Sequence, residues 1–400
     1  MNKSSVLDQL VLGYAPLVGR WHDWSGLRIR LMPSGRPQAP DAPGLLAALV
    51  EAWSARSAAE GSAGAAPSPV LIDVVDLDWA QHMLALWFPR WVGLALPATA
   101  AQSQQVLERL RECHAGGAWL AARAASWEQV PEAARDCFSD LLVDAKTALA
   151  TGSRMERNTW VDGARTLVEV DALLEGGAKG VVGWPLEARR SVGRDIRAEV
   201  PVVVDLMNRV ERQESLENLE RALKADPTLV YRLLRYINSA ALGLKVEVTA
   251  LRQALLLLGY LPLLRWLSRM LLDAAAKEGA SRPLVHLSVC RAFVMERLAV
   301  VSGHADEAAE MFLCGMFSLL HLLLRRPLAE LTATLPIPDR VRCSLLEPDA
   351  DYSLHLRWVE AAESGSAAAI REALGALRMD PGVANLALLQ GLAAARSLDA

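Results

Sequence analysis

Three aspartates, Asp73, Asp76 and Asp78, stand in a D-x-x-D-x-D run. Carboxylates so spaced can hold a divalent cation for phosphoryl chemistry. The same run also suits a strand end, a polar turn and the cap of a helix starting near Trp79, and capping is the simpler reading. His286, His321 and His355 are single histidines among apolar residues, where an imidazole is more often packed than a ligand. Asp306, shortly after His304, reads as a helix cap. The five cysteines (Cys113, Cys137, Cys290, Cys314, Cys343) are odd in number and form no CxxC pair, so neither a disulfide framework nor a zinc site is indicated. Arg20, Arg28 and Arg30 together with Trp21 make an arginine-and-aromatic group, which suits a bound nucleotide.

The elements that position these residues change character along the chain. Ten of the twelve tryptophans lie before residue 190. That half also holds short apolar runs suited to buried strands: Val11 to Val18, Val70 to Val75, Trp91 to Leu96 and Ala118 to Ala122. Helical patterns ending in Gly116-Gly117 and Gly176-Gly177 separate some of them, which is the grammar of an α/β fold with a mostly parallel sheet. Gly61 to Pro69 reads as an exposed loop. From about Ile196 the pattern becomes helix after helix, with a kink expected at Gly259 or Pro262. The charged run Arg189 to Arg197 marks the boundary, giving domains of residues 1–190 and 191–400.

Four hundred residues suit two or three domains. A net charge of -4 exerts no overall pull on nucleic acid, and basic residues scattered over the later helices read as solvated surface. The greasiest segment, Ala254 to Leu264, is far short of the roughly 20 residues that span a bilayer. Reduced thiols and an N-terminus interrupted by Asp8 fit a cytoplasmic protein.

One stretch is specific. Asp226 to Leu244 reads as a helix capped by Asp226, opened by Pro227 and closed by Gly243, with Leu229, Leu233, Leu234 and Ile237 on one apolar face. Its "LLRYINSAALGL" core resembles the signature helix of HDOD domains, helical output domains of bacterial signalling proteins, in the version that follows an EAL domain. The first half is similar in outline to an EAL domain, the TIM-barrel-like fold of cyclic di-GMP phosphodiesterases. Gly13 to Val18 resembles its opening strand, Pro69 to Val74 a second, Leu141 to Asp144 a third, and Gly176 to Leu186 its closing segment. At about 190 residues it is short for that family, so a helix or strand is expected to be missing.

The resemblance implies catalytic positions that this chain does not fill. Two-metal hydrolysis needs several carboxylates. Leu27-Arg-Ile-Arg-Leu31 lacks the glutamate of the EAL motif, Ala118 to Arg123 lacks paired aspartates, and Val182 replaces a glutamine. Asp73, Asp144 and Asp162 are the residual acidic positions. In the second half Phe317-Ser318 stands where hydrolytic relatives carry a His-Asp pair. The chain thus resembles a degenerate, shortened EAL-type barrel followed by an HDOD bundle. The expectation is a non-catalytic scaffold with no catalytic residue, metal or cofactor. It would bind protein partners in a bacterial cyclic di-GMP-related network. Arg232, Arg235, Asn238 and Ser239 are the candidate docking or signature positions. Homodimerisation and nucleotide binding stay open, and neither nucleic acid nor membrane insertion is expected. The alternatives are a divergent phosphodiesterase or a receptor that binds a cyclic dinucleotide without cutting it.

Overall fold

The computed structural model describes residues 7–34, 43–44, 46–47, 51, 69–86, 89–151, 155, 158–186, 199–224, 226–239, 248, 250–276, 281–335 and 337–396. Eight strands close into a barrel in sequence order: β1 (Leu10–Gly19), β2 (Trp24–Pro33), β3 (Val70–Val74), β4 (Val92–Pro97), β5 (Trp119–Arg123), β6 (Asp140–Asp144), β7 (Thr159–Asp162) and β8 (Gly180–Val182). β1 runs antiparallel to both its neighbours, and the remaining pairings are parallel. Strands buried on both faces read as near-continuous apolar runs, which is why β1, β3 and β4 were visible in the sequence.

The connecting helices include α1 (Leu77–Leu84), α2 (Gln104–Ala115), α3 (Ala145–Thr151) and α4 (Leu167–Glu175). Asp76 caps α1 by accepting from the amides of Asp78 and Trp79 at 2.9 and 3.1 Å. Thr166 caps α4 through Glu169 N, and the Glu169 carboxylate returns to Arg165 N at 2.7 Å. Gly117 and Gly177 follow α2 and α4 with φ of 80° and 102°, a region that costs glycine little. β5 and β6 are joined by 3₁₀ turns at Trp127–Gln129 and Glu132–Cys137. The expected loop from Gly61 lies outside the described residues apart from Pro69.

The helical region comprises α5 (Glu199–Glu211), α6 (Leu216–Lys224), α7 (Pro227–Ile237), α8 (Leu251–Leu258), α9 (Tyr260–Ala275), α10 (Arg282–Val301), α11 (Ala308–Phe317), α12 (Leu320–Leu324), α13 (Leu328–Thr334) and α14 (Asp339–Leu346). Asp226 caps α7 by accepting from Leu229 N at 3.2 Å, and Leu233 and Ile237 are buried. The closing Gly243 lies outside the described residues. The pattern from Ala250 to Ala276 is two helices bent by 109° at Gly259, whose φ of 70° breaks the run. The pattern from Asp306 to Leu324 is likewise interrupted after Phe317. α13 and α14, each preceded by a proline, are short helices that the apolar periodicity did not reveal. Gly315 on α11 lets the backbone of α10 approach, since a Cβ there would lie 2.6 Å from Ala292 N. The stretch Ala305–Leu324 is long and apolar enough to cross a membrane, and 78% of its most apolar window is buried inside the protein.

Three helices end the chain: α15 (Ser353–Ser364), α16 (Ala367–Leu377) and α17 (Pro381–Arg396). Contacts divide the protein into two compact units, one holding the barrel with Arg357–Leu388 and the other the remaining described helices. The sequence pattern assigns everything after residue 191 to the helical domain. Arg357–Leu388 groups with the barrel because its polar side chains complete the backbone of the first strands. Asn385 donates to the carbonyls of Leu7 and Leu10, both at 2.8 Å, and accepts from Leu12 N at 3.1 Å. Arg371 donates to the Pro33 carbonyl at 3.0 Å.

Candidate functional site

Side chains alternate along a strand, so register decides which residues share the barrel lumen. Arg28 pairs in register with Ala15 and Leu71, and Arg30 with Gly13 and Asp73. Ala95 pairs with Ala121, and Asp144 with Asp162. The lumen is therefore layered. Ala15, Leu17, Leu71, Ala95, Ala121, Leu142, Trp160 and Val182 form its apolar middle. Toward the C-terminal ends of the parallel strands, Arg28, Arg30 and Arg123 meet Asp73 and Asp162.

This cluster has defined geometry. Arg30 Nε donates to Asp73 Oδ2 at 2.9 Å, and its Nη2 donates to Asp162 Oδ2 at 2.7 Å. Arg28 Nη1 donates to the same oxygen of Asp162 and lies 3.9 Å from Asp73 Oδ2. Arg123 completes the group as an ion pair with Asp73 Oδ1. Asp73 and Arg28 are buried. Three guanidiniums face two carboxylates, leaving one positive charge in excess.

The titration behaviour follows from that packing. Burial raises the Asp162 carboxyl, but Arg28, Arg30 and Arg123 outweigh it and hold the group below the usual carboxylate range. Burial, then the charges of Arg30 and Arg28, push the Arg123 guanidinium down to about 10. Burial likewise lowers Arg28, against the pull of Asp162. A guanidinium is a fixed cation with directional donors. The carboxylates that could have received a metal ion are thus engaged by side chains of the chain itself.

Asp144, the third residual acidic position, is not drawn into this cluster. It is exposed at the end of β6, and its Oδ1 accepts from Lys146 N at 2.9 Å as a cap for α3. Among the described residues no group of three or more His, Cys, Asp and Glu side chains is placed to hold a metal ion. The turn between α15 and α16 lies against the arginines, since a Cβ on Gly365 would be 3.4 Å from Arg30 Nη1 and 3.8 Å from Arg28 Nη2. Close by, Tyr14 donates to Glu363 Oε1 at 2.6 Å.

The sequence grouping of Arg20 and Trp21 with Arg28 and Arg30 is corrected by the register. Gly19 ends β1 and Trp24 begins β2, so Arg20 and Trp21 occupy the opposite end of the barrel from the lumenal arginines. Arg123 was overlooked. Its signal was the two-residue spacing from Ala121 at the end of an apolar strand.

In the helical region Ser318 follows α11 and accepts from Arg291 Nη1 at 3.1 Å, while its hydroxyl donates to the Gly315 carbonyl at 2.8 Å. Arg291 on α10 is buried. His321, three residues further on, is lowered chiefly by burial. At the other end of this region, Asn238 clamps the backbone of Val248, donating to its carbonyl at 2.8 Å and accepting from its amide at 2.7 Å. Ser239 Oγ donates to the Tyr236 carbonyl at 2.6 Å. Arg232 and Arg235 are exposed on α7.

Comparison with known proteins identifies this region, because residues 199–326 match the HDOD domain family. The chain carries an HDOD domain. Its curated relatives include YuxH of Bacillus subtilis (strain 168), 28% identical over 183 residues, which are 45% of this chain and 44% of YuxH. The cyclic di-GMP phosphodiesterase CdgJ of Vibrio cholerae serotype O1 (strain ATCC 39315 / El Tor Inaba N16961) is 33% identical over 131 residues, 32% of this chain and 30% of CdgJ. The chain thus spans less than half the length of either relative. The barrel preceding the HDOD domain resembles solved EAL domains. One is the FimX EAL domain of Pseudomonas aeruginosa bound to cyclic di-GMP, at 12% identity and a TM-score of 0.26 over 47% of this chain and 96% of that one. A further similar structure is Klebsiella pneumoniae BlrP1 in complex with manganese and cyclic di-GMP, at 14% identity and a TM-score of 0.28 over 44% of this chain and 54% of that one.

Proposed function

We propose that this EAL-like, HDOD-containing chain is a non-catalytic regulatory protein of a bacterial cyclic di-GMP-related network, working in the cytoplasm by docking other proteins. The observation that carries this reading is the barrel's cluster of three arginines on two aspartates. A two-metal hydrolase needs open carboxylates around its ions, whereas Asp73 and Asp162 are held by Arg28, Arg30 and Arg123. The Gly365 turn against the arginines adds steric cover. In the HDOD domain, the position of the His-Asp pair is filled by Phe317 and by Ser318, which is hydrogen-bonded to buried Arg291.

The HDOD domain supplies the docking surface. Leu256, Leu257 and Leu261 are 62%, 54% and 45% exposed around the bend at Gly259, beside exposed Arg232 and Arg235 on α7, which packs against α8. Apolar side chains held outward next to fixed positive charge suit a protein partner with an apolar and acidic face. The relationship to CdgJ supports the signalling setting.

Purified full chain incubated with cyclic di-GMP and either magnesium or manganese should give no hydrolysis above a no-protein control. Turnover that disappears in Asp144→Ala would overturn the non-catalytic reading.

A further inference from the structure

At the N-terminal end of the barrel's parallel strands, opposite the arginine cluster, lies a cavity of about 410 Å³. Its lining includes Leu17, Arg20, Trp21, Trp119, Trp160 and Lys179. That volume falls within the range of small-molecule sites, roughly 300–1,000 Å³. It is walled by three indoles with two cations at its edge, and the arrangement is built into the strands. Trp119 pairs in register with Gly93, and Trp160 with Gly180. A Cβ on either glycine would collide with the facing indole, so each ring lies across a neighbouring strand that has been stripped of its side chain. Trp160 is buried, and its indole N–H has no acceptor among the described residues.

The charges at this end are unequally available. Asp140, buried beneath the cavity, receives Lys179 Nζ at 2.6 Å and Trp119 Nε1 at 2.5 Å. Asp23 accepts from Trp21 N at 3.2 Å and from Ser25 Oγ at 3.0 Å. Asp140 is thus neutralised by Lys179, whereas Asp23, which lines the cavity, is hydrogen-bonded by neutral groups and keeps its charge at the rim. Lys179 keeps donors to spare and stands 5.5 Å from the centre of the Trp160 ring. Arg20 has no ion-pair partner among the described residues, and it is an exposed residue of the cavity lining.

Trp21 is the most telling residue. It is 81% exposed, an unfavourable setting for so large an apolar ring. A closed turn keeps it there: Gly19 N donates to the Asp23 carbonyl at 2.8 Å, and His22 N donates to the Gly19 carbonyl at 3.0 Å. His22 adopts a φ of 57° and packs edge-on against Trp184 at 5.4 Å. The turn therefore places Trp21 and Arg20, both exposed, in the lining of the cavity.

We propose that this cavity binds a planar aromatic anion of about mononucleotide size. The ring of the ligand stacks on the indoles, and its phosphate or carboxylate takes the donors of Arg20 and Lys179. The proposal is independent of the arginine cluster and of the docking reading.

Tryptophan fluorescence and calorimetric titration of the full chain test it, with guanosine 5′-monophosphate and indole-3-acetate as aromatic anions and guanosine and inorganic phosphate as single-feature controls. Saturable binding of at least one aromatic anion is expected, at least tenfold tighter than either control. The nucleotide arm and the carboxylate arm decide which anionic group the site prefers. Trp21→Ala and Arg20→Ala, both at exposed positions and so compatible with folding, should each weaken that binding at least tenfold while leaving the melting temperature unchanged. Absence of saturable binding for both aromatic anions at millimolar concentration overturns the proposal. So does binding that is unaffected by both substitutions.

Discussion

Replacing Asp73 by asparagine tests the physical core of the barrel argument. Asp73 is fully buried and faces Arg30 at 2.9 Å, Arg28 at 3.9 Å and Arg123. At an effective dielectric of 20, one charge pair at that shorter separation is worth about 6 kcal/mol before desolvation is subtracted. Desolvation of both ions offsets much of it, and an asparagine oxygen can still accept from Arg30. The remaining penalty comes from leaving three guanidiniums with only Asp162 to balance them. Removing one partner of a buried ion pair typically costs about 3–5 kcal/mol. For a unit of this size that corresponds to a fall in melting temperature of roughly 6–20 °C. Urea unfolding followed by tryptophan fluorescence isolates the barrel, because ten of the twelve indoles precede residue 190. A loss below about 1 kcal/mol, the scale of a solvent-exposed pair, would refute the reasoning and mean that solvent screens the cluster.

Two further outcomes follow from the HDOD domain. Leu233→Ala, at a fully buried site on α7, should cost about 2–5 kcal/mol in chemical unfolding through lost burial and a residual cavity. Arg232→Glu and Arg235→Glu on the exposed face should stay within about 0.5 kcal/mol and should reduce partner capture if that face docks. His321 and His355 are both lowered chiefly by burial, so the folded protein takes up their protons less readily than the unfolded chain. Their contribution to stability is present above the unfolded value of about 6.5 and is lost as pH falls from there through the folded value. Melting followed by circular dichroism should show a decline over that interval, shallower in a His321→Gln, His355→Gln double variant; an identical decline in the variant assigns the effect to other groups.

Much of the fold was legible because it depends on neighbours in sequence. The apolar run from Val11 to Val18 could only be a strand buried on both faces, and β1 is that. Asp76 and Asp226 were readable as caps because capping joins residues two or three apart, and both make those bonds. The bend at Gly259 was legible for the same reason, whereas α13 and α14 escaped because seven or eight residues are too few to establish a helical period.

The arginine cluster was only half legible. Leu27-Arg-Ile-Arg-Leu31 alternates with period two, which puts Arg28 and Arg30 on one face of a strand. Which face it is, and what it meets, is not a local property. The hydrogen bonds that define the cluster join residues 43, 132 and 134 positions apart, and only closure of the barrel brings them together. Closure also sent Arg20 and Trp21 to the far end, although they lie within ten residues of Arg30, because β1 and β2 are antiparallel and their turn is at the opposite rim.

The sequence by itself determined several of the strand and helix segments, the caps at Asp76 and Asp226 and the HDOD signature. Each of these rests on side-chain chemistry or on contacts within a few residues. Only the tertiary structure decided that arginines pair with the remaining aspartates, and that Arg357–Leu388 completes the barrel unit through Asn385. It alone placed Trp21, Trp119 and Trp160 around one cavity. A buried charge needs a partner and a lumen must be filled, and which residues meet those demands is set by register and barrel closure across the whole chain.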